Sequence, residues 1–179
     1  MTGCFIAVVG PSGVGKDTLM EAAAAQTDMV LARRVITRPS EAGGEDFDGV
    51  SEAEFDRRLA AGGFALHWPA HGLRYAIPAE IDTVLAQGRN VLANLSRAVL
   101  PQLASRFEHH RIVLLTAAPE VLAARLAARG RESEEDITRR LKRASFQLEQ
   151  DLKPVVVENN GTLDQAIADF IRACQPVRA

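Results

Sequence analysis

Gly10-Pro11-Ser12-Gly13-Val14-Gly15-Lys16 follows a short apolar run, Cys4–Val9, and precedes an Ala-rich stretch from Lys16 to about Thr27. This is the G-x-x-x-x-G-K spacing of a loop that cradles phosphates between a strand and a helix. Its glycines let the backbone turn N–H groups onto phosphate oxygens. The helix N-terminus adds partial positive charge, and Lys16 is of a length to reach the β- and γ-phosphates of a nucleotide. Gly10 through Lys16, with Asp17 and Thr18, are therefore the candidate nucleotide site, with ATP and Mg²⁺ as the expected cofactors. The position after Lys16, where such loops carry Ser or Thr, is Asp17. A carboxylate there can hold Mg²⁺ directly or through water, since Mg²⁺ takes hard oxygen ligands. The alternative is that Asp17 caps the helix or pairs with an arginine.

A phosphate loop serves GTPases, motors, ATPases and kinases alike, so it leaves the reaction open. Asp46-Phe-Asp-Gly49 fits D-x-x-G, but no N-K-x-D guanine-reading motif follows, which argues against a GTPase. Motor or helicase activity calls for a larger chain. His67 and His71 are four apart, but Trp68-Pro69 rules out one continuous helix and with it a helical zinc pair.

The elements that must position the loop alternate between strand and helix. Strands are expected over Cys4–Val9, Met29–Val35, Phe64–Trp68, Asn90–Leu95, Arg111–Leu115 and Val155–Glu158. An irregular piece is expected from Trp68 to Pro78, and a loop over Ser40–Gly49. Helices are expected from Lys16, from a capping box at Ser51-Glu52-Ala53-Glu54, over Ala79–Gln87, Leu100–Phe107 and Pro119–Ala128, from Ser133 to about Leu152, and over Thr162–Ala173. This alternation predicts an α/β fold with a mostly parallel sheet wrapped by helices.

The chain has 179 residues, 47% hydrophobic and 25% charged, which suits one domain of residues 1–179. Two cysteines, Cys4 and Cys174, make neither a disulfide framework nor a zinc site, so a reducing cytoplasm is expected. No long apolar stretch spans a membrane, and a net charge of −2 argues against a general nucleic-acid binder. Of 21 basic residues 18 are Arg, and the fold must decide whether any of them meet phosphate. Oligomeric state is left open.

The loop, Thr37-Arg38-Pro39, the run from Gly44 to Phe55, His71-Gly-Leu-Arg-Tyr75 and the stretch from Arg125 to Leu141 together resemble the guanylate-kinase-like nucleoside monophosphate kinases. The resemblance covers nearly the whole chain. It implies a five-stranded parallel sheet in the order 2-3-1-4-5, an acceptor-binding segment near residues 36–78 and an Arg-bearing lid near 125–143. The guanine-reading parts differ: His67 stands where such kinases carry a base-binding Glu, and Phe47 where they carry a phosphate-binding Tyr. Lys-Asp17 in the loop and Asn94-Leu-Ser-Arg97 at a strand end look like a branch of that group that phosphorylates ribose 1,5-bisphosphate with ATP during phosphonate breakdown. That resemblance implies a sugar bisphosphate as partner, held by Arg38, Arg74, Tyr75, Asn94, Ser96 and Arg97. It further implies Lys16, Arg129 and Arg140 as catalytic cations, with Arg125 and Asn159 beside the nucleotide. For Asn159 a plain Asn-Gly turn is the competing reading, and for the lid arginines an exposed, salt-bridged helix pair. Two other readings stay open: a GMP-type kinase, and a non-catalytic binding module of the same fold.

Overall fold

The structure is a computed structural model that describes residues 2–42, 46–128, 148 and 150–175. Five strands form the central sheet: β1 (Phe5–Val9), β2 (Val30–Leu31), β7 (Val91–Asn94), β8 (His110–Thr116) and β9 (Val155–Glu158). They lie side by side as β2-β7-β1-β8-β9, and every neighbouring pair is parallel. Numbered within this sheet alone, that order is 2-3-1-4-5. Over the whole chain the numbering differs, because four strands of a second sheet intervene between β2 and β7.

β1 is the centre of the molecule, and all five of its residues are fully buried. Its side chains alternate between two apolar layers, as a strand covered on both faces must. Ile6 and Val8 meet Leu19, Met20 and Ala23 of α1 (Lys16–Gln26) and Ile167 and Phe170 of the C-terminal helix α6 (Leu163–Cys174). Phe5, Ala7 and Val9 face the other way, toward Leu100, Leu103 and Phe107. Phe5 stacks on Phe107 there, with ring centroids 4.1 Å apart.

The second sheet was not expected. Its order is β4-β3-β6-β5, from β3 (Arg34–Ile36), β4 (Phe47–Gly49), β5 (Phe64–Ala70) and β6 (Leu73–Pro78). The single strand expected over Met29–Val35 is two: β2 stops at Leu31 in the central sheet, and β3 starts at Arg34 in the second. The expected Ser40–Gly49 loop holds a 3₁₀ turn at Ser40–Ala42 and then β4. The piece expected to be irregular before Pro78 is β6, paired antiparallel with β5. Helix α2 (Glu52–Ala60) covers this sheet through Phe55, which joins Val35 and Ala76. Ser51 caps it as expected, its Oγ accepting from the Glu54 N–H at 3.2 Å. The Glu54 carboxylate does not turn back to complete the box. It accepts from Arg58 and Arg57 (2.6 Å each), which holds it below the usual carboxylate range.

Leu66, Trp68 and Ile77 of the β5–β6 pair pack into the same layer as Phe5 and Val9, so the second sheet is anchored on the first. Helices α3 (Ile81–Ala86), α4 (Leu103–Arg106) and α5 (Pro119–Ala128) complete the described elements. The stretch expected to be helical from Leu100 is a 3₁₀ segment, Arg97–Gln102, before α4 begins. It holds Pro101, which has no N–H to give to an α-helical ladder. Most of the helix expected from Ser133 lies outside the described residues, and Gln150–Leu152 is a 3₁₀ turn. Among the described residues no helix is long and apolar enough to cross a membrane.

Candidate nucleotide and acceptor site

Parallel strands all point their carboxyl ends the same way, and loops at that edge form the crevice where such sheets bind ligands. Here β1 delivers the phosphate loop, β7 delivers Asn94, Ser96 and Arg97, and β9 delivers Asn159. Gly15 is the residue before α1 and has φ +97°, a conformation open to glycine and strained for other residues. A Cβ there would also stand 2.9 Å from the Asn159 amide nitrogen.

Two residues from distant parts of the chain brace this loop. Asn159, 5% exposed, donates from Nδ2 to the Val14 carbonyl (2.9 Å), and its own N–H donates to the Thr116 carbonyl (2.8 Å). Arg125 on α5 donates to the Asn159 carbonyl (2.9 Å) and, at 3.5 Å, to the Val14 carbonyl. Both were expected beside the nucleotide. Their described contacts run to the loop backbone and to each other, and these set the loop's shape. Asn160 Oδ1 accepts from the Ala118 N–H (2.7 Å), tying the same turn to the start of α5.

Lys16 donates from Nζ to the carbonyls of Gly10 (2.8 Å) and Pro11 (3.1 Å), arching over the loop's opening. Asp17 and Thr18 follow on the exposed side of the first turn of α1. Asp17 Oδ1 accepts from Asn94 Nδ2 at 3.2 Å, joining the loop to the end of β7 across 77 residues of sequence. Asn94 was expected to meet substrate; this contact makes it the partner of Asp17. One carboxylate beside a phosphate loop is a donor set that suits Mg²⁺, which keeps several waters and binds through one or two carboxylates plus substrate phosphates. Among the described residues no cluster of three or more His, Cys, Asp or Glu offers an all-protein cage.

Asp17 and Asn94 also line a cleft with Glu21, Arg33, Arg34 and Asp46. Arg33 pairs with Asp46 at 3.0 Å and donates to the Phe47 carbonyl. Arg34 donates to the Asn94 carbonyl (3.4 Å) and stands 5.4 Å from the Tyr75 ring centroid. Neither arginine was singled out from the sequence. The one available signal was a pair of cations inside an otherwise apolar stretch read as a strand.

The remaining expected acceptor residues are divided between the second sheet with its connections and the segment that follows β7. The Arg38 guanidinium lies over the buried Phe47 ring at 4.3 Å. Tyr75 stacks on Trp68, centroids 5.6 Å apart. Arg74 is tied to α2: it donates to Asp56 (2.5 Å) and Glu52 (3.2 Å) and lies 4.2 Å from the Phe55 ring centroid. The Asp56 carboxylate, with Glu52 beside it, holds Arg74 above its ordinary range. Ser96 caps the following 3₁₀ segment, its Oγ accepting from Ala98 N–H at 3.4 Å, and Arg97 opens that segment on the surface. His67 is exposed on β5. Arg129 and Arg140 lie outside the described residues, as does most of the expected lid.

A central parallel sheet, a phosphate loop at its carboxyl edge and an added sheet packed on the central one define a P-loop nucleotide-binding protein of the nucleoside monophosphate kinase type. The chain belongs to the guanylate kinase family, whose model matches residues 3–175. It is 53% identical to the ribose 1,5-bisphosphate phosphokinase PhnN of Ruegeria sp. (strain TM1040), over 99% of this chain and 94% of that protein. It is 48% identical to the ribose 1,5-bisphosphate phosphokinase PhnN of Agrobacterium fabrum (strain C58 / ATCC 33970), over 96% of each. In fold it is similar to a crystal structure of guanylate kinase from Anaplasma phagocytophilum, with a TM-score of 0.67 and 22% identity over 98% of this chain and 90% of that one.

Proposed function

We propose that this chain transfers the γ-phosphoryl group of ATP to the 1-phosphate of ribose 1,5-bisphosphate, giving ADP and 5-phosphoribosyl 1-diphosphate, in the cytoplasm and in phosphonate breakdown. The observation that carries this reading is the 53% identity, across nearly both full lengths, to a protein named for that substrate. The site is compatible with it: the loop is intact, Asp17 is joined to Asn94, and arginines line the cleft beside them.

In the reaction an ionised oxygen of the 1-phosphate bonds to the γ-phosphorus. The bond from that phosphorus to the β–γ bridging oxygen breaks, and the bridging oxygen leaves on ADP with the electron pair. A phosphate monoester has its second pKa near 6, so the attacking oxygen carries no proton near neutral pH and no general base is needed. The protein's work is positioning and charge neutralisation. Lys16 exchanges the Gly10 and Pro11 carbonyls for phosphate oxygens. Asn159 and Arg125 keep the loop N–H groups aimed inward. Mg²⁺, when bound, neutralises phosphate charge, and Asp17 is the residue that would hold it, oriented by Asn94. Arg38 and Arg97 are assigned to the acceptor, and Arg129 and Arg140 to the transferred group.

ADP release measured with ribose 1,5-bisphosphate and, separately, with GMP tests the reading. Turnover with the sugar bisphosphate alone is expected. Turnover with GMP alone overturns it.

A further inference from the structure

We propose that Arg34 is the cation that receives the reacting 1-phosphate of the acceptor, an assignment that rests on the sugar-bisphosphate reading above. Arg34 opens β3, at the point where the chain passes from the central sheet to the second. Its Nη1 donates to the Asn94 carbonyl at 3.4 Å, and its guanidinium stands 5.4 Å from the Tyr75 ring centroid. One side chain thus spans from the carboxyl end of β7 to the β5–β6 pair. Asn94 in turn carries Asp17, which directly follows Lys16. Arg34 is therefore two contacts from the first turn of α1, and it lines the cleft that Asp17 also lines.

The reaction requires an anion at that place. The attacking oxygen must come within about 3–3.5 Å of the transferring phosphorus, which puts the 1-phosphate against the loop and beside the ATP phosphates. A guanidinium stays charged at any physiological pH and meets phosphate with two parallel N–H bonds. Charge balance in the cleft points the same way. Asp17, Glu21 and Asp46 all line it; Asp46 is paired with Arg33 at 3.0 Å, and Glu21 lies one turn beyond Asp17 on α1. With Arg34 the lining sets two arginines against three carboxylates, and without it Arg33 alone, so Arg34 is the cation that lessens the repulsion a dianion meets there.

The test compares wild type with R34M, and with R34K, which keeps the charge and loses the bidentate fork. Three quantities are measured: kcat/KM for ribose 1,5-bisphosphate, KM for ATP, and the dissociation constant of ribose 5-phosphate, which lacks the 1-phosphate. R34M is expected to lower kcat/KM for the bisphosphate about 100-fold, the size of one lost donor to developing charge. KM for ATP and the ribose 5-phosphate constant should stay within about twofold, because neither interaction uses the 1-phosphate. R34K should recover part of the loss. An unchanged kcat/KM overturns the proposal. So does equal weakening of ribose 5-phosphate and the bisphosphate, which would assign Arg34 to the 5-phosphate or to the fold. If R34M does not fold, R34K is read by the same criteria. A wild type that leaves ribose 1,5-bisphosphate unphosphorylated defeats the reading of the activity itself, and the Arg34 assignment falls with it.

Discussion

Asn159→Ala separates a residue that shapes the loop from one that touches the nucleotide. The substitution removes the Nδ2 donor to the Val14 carbonyl (2.9 Å) and leaves that carbonyl the longer Arg125 contact at 3.5 Å. Val14 is fully buried, so water does not readily replace the lost donor. Leaving a buried acceptor without a good donor costs about 1–3 kcal/mol. For a domain of this size each kcal/mol is worth about 2–4 °C in Tm, so a cost near 2 kcal/mol predicts a fall of roughly 4–8 °C. The backbone bonds of Asn159 to Thr116 and Arg125 survive the change, so the fold is retained. KM for ATP is expected to rise several-fold together with the loss of Tm, since the loop N–H groups are then less well held. Calorimetry and an ATP titration of the rate read the two effects. A weakened ATP interaction with an unchanged Tm would refute the reasoning, because it would mean that the side chain binds nucleotide and does not brace the loop.

Three further outcomes are expected. Asp17→Asn should move the Mg²⁺ titration of turnover to higher concentration; an unchanged titration would make Asp17 a structural residue of the loop. Gly15→Ala places a Cβ at φ +97° and 2.9 Å from the Asn159 amide. It should destabilise the protein by about 1–2 kcal/mol or more and impair ATP binding, measured by urea unfolding and ATP KM. Burial pushes the Cys174 thiol up to about 12 against the opposing pull of Arg111, and burial raises Cys4 as well. The unfolded thiols lose their protons at lower pH than the folded ones, so stability should fall as pH rises above about 9. Cys174→Ser should flatten that slope, and both native thiols should react slowly with a thiol reagent at pH 8.

The strand–loop–helix unit was legible because its signals are local: an apolar run, glycines at fixed offsets and an Ala-rich stretch. β9 was legible to the residue, and α5 from its first residue, for similar reasons, with Pro119 and Pro154 marking where they begin. The second sheet was not, since β3 and β4 are three residues each and carry no usable periodicity. β5 runs past its expected end at Trp68 to Ala70, through Pro69, a residue that ordinarily weakens a strand. Yet Pro69 is exposed, pairs opposite Arg74, and leads to a two-residue turn, His71-Gly72, with φ of +52° and +73°. Such X-Gly turns join hairpin strands, and that signal was available. Among the expected site residues, the place of Lys16 and Asp17 at the head of α1 followed from spacing alone. The Asn94–Asp17 contact, the Asn159–Arg125 brace and the place of Arg34 did not, because each joins segments 34 to 145 residues apart. Sequence proximity carries no trace of such contacts; only the parallel sheet brings its strand ends together.

The most direct measurement follows the phosphorus itself. ³¹P NMR of the protein with ATP, Mg²⁺ and ribose 1,5-bisphosphate should show the 1-phosphate resonance replaced by the two coupled resonances of a diphosphate on C1, with ADP formed in equal amount. Persistence of the 1-phosphate resonance under conditions where GMP is converted to GDP would contradict the account.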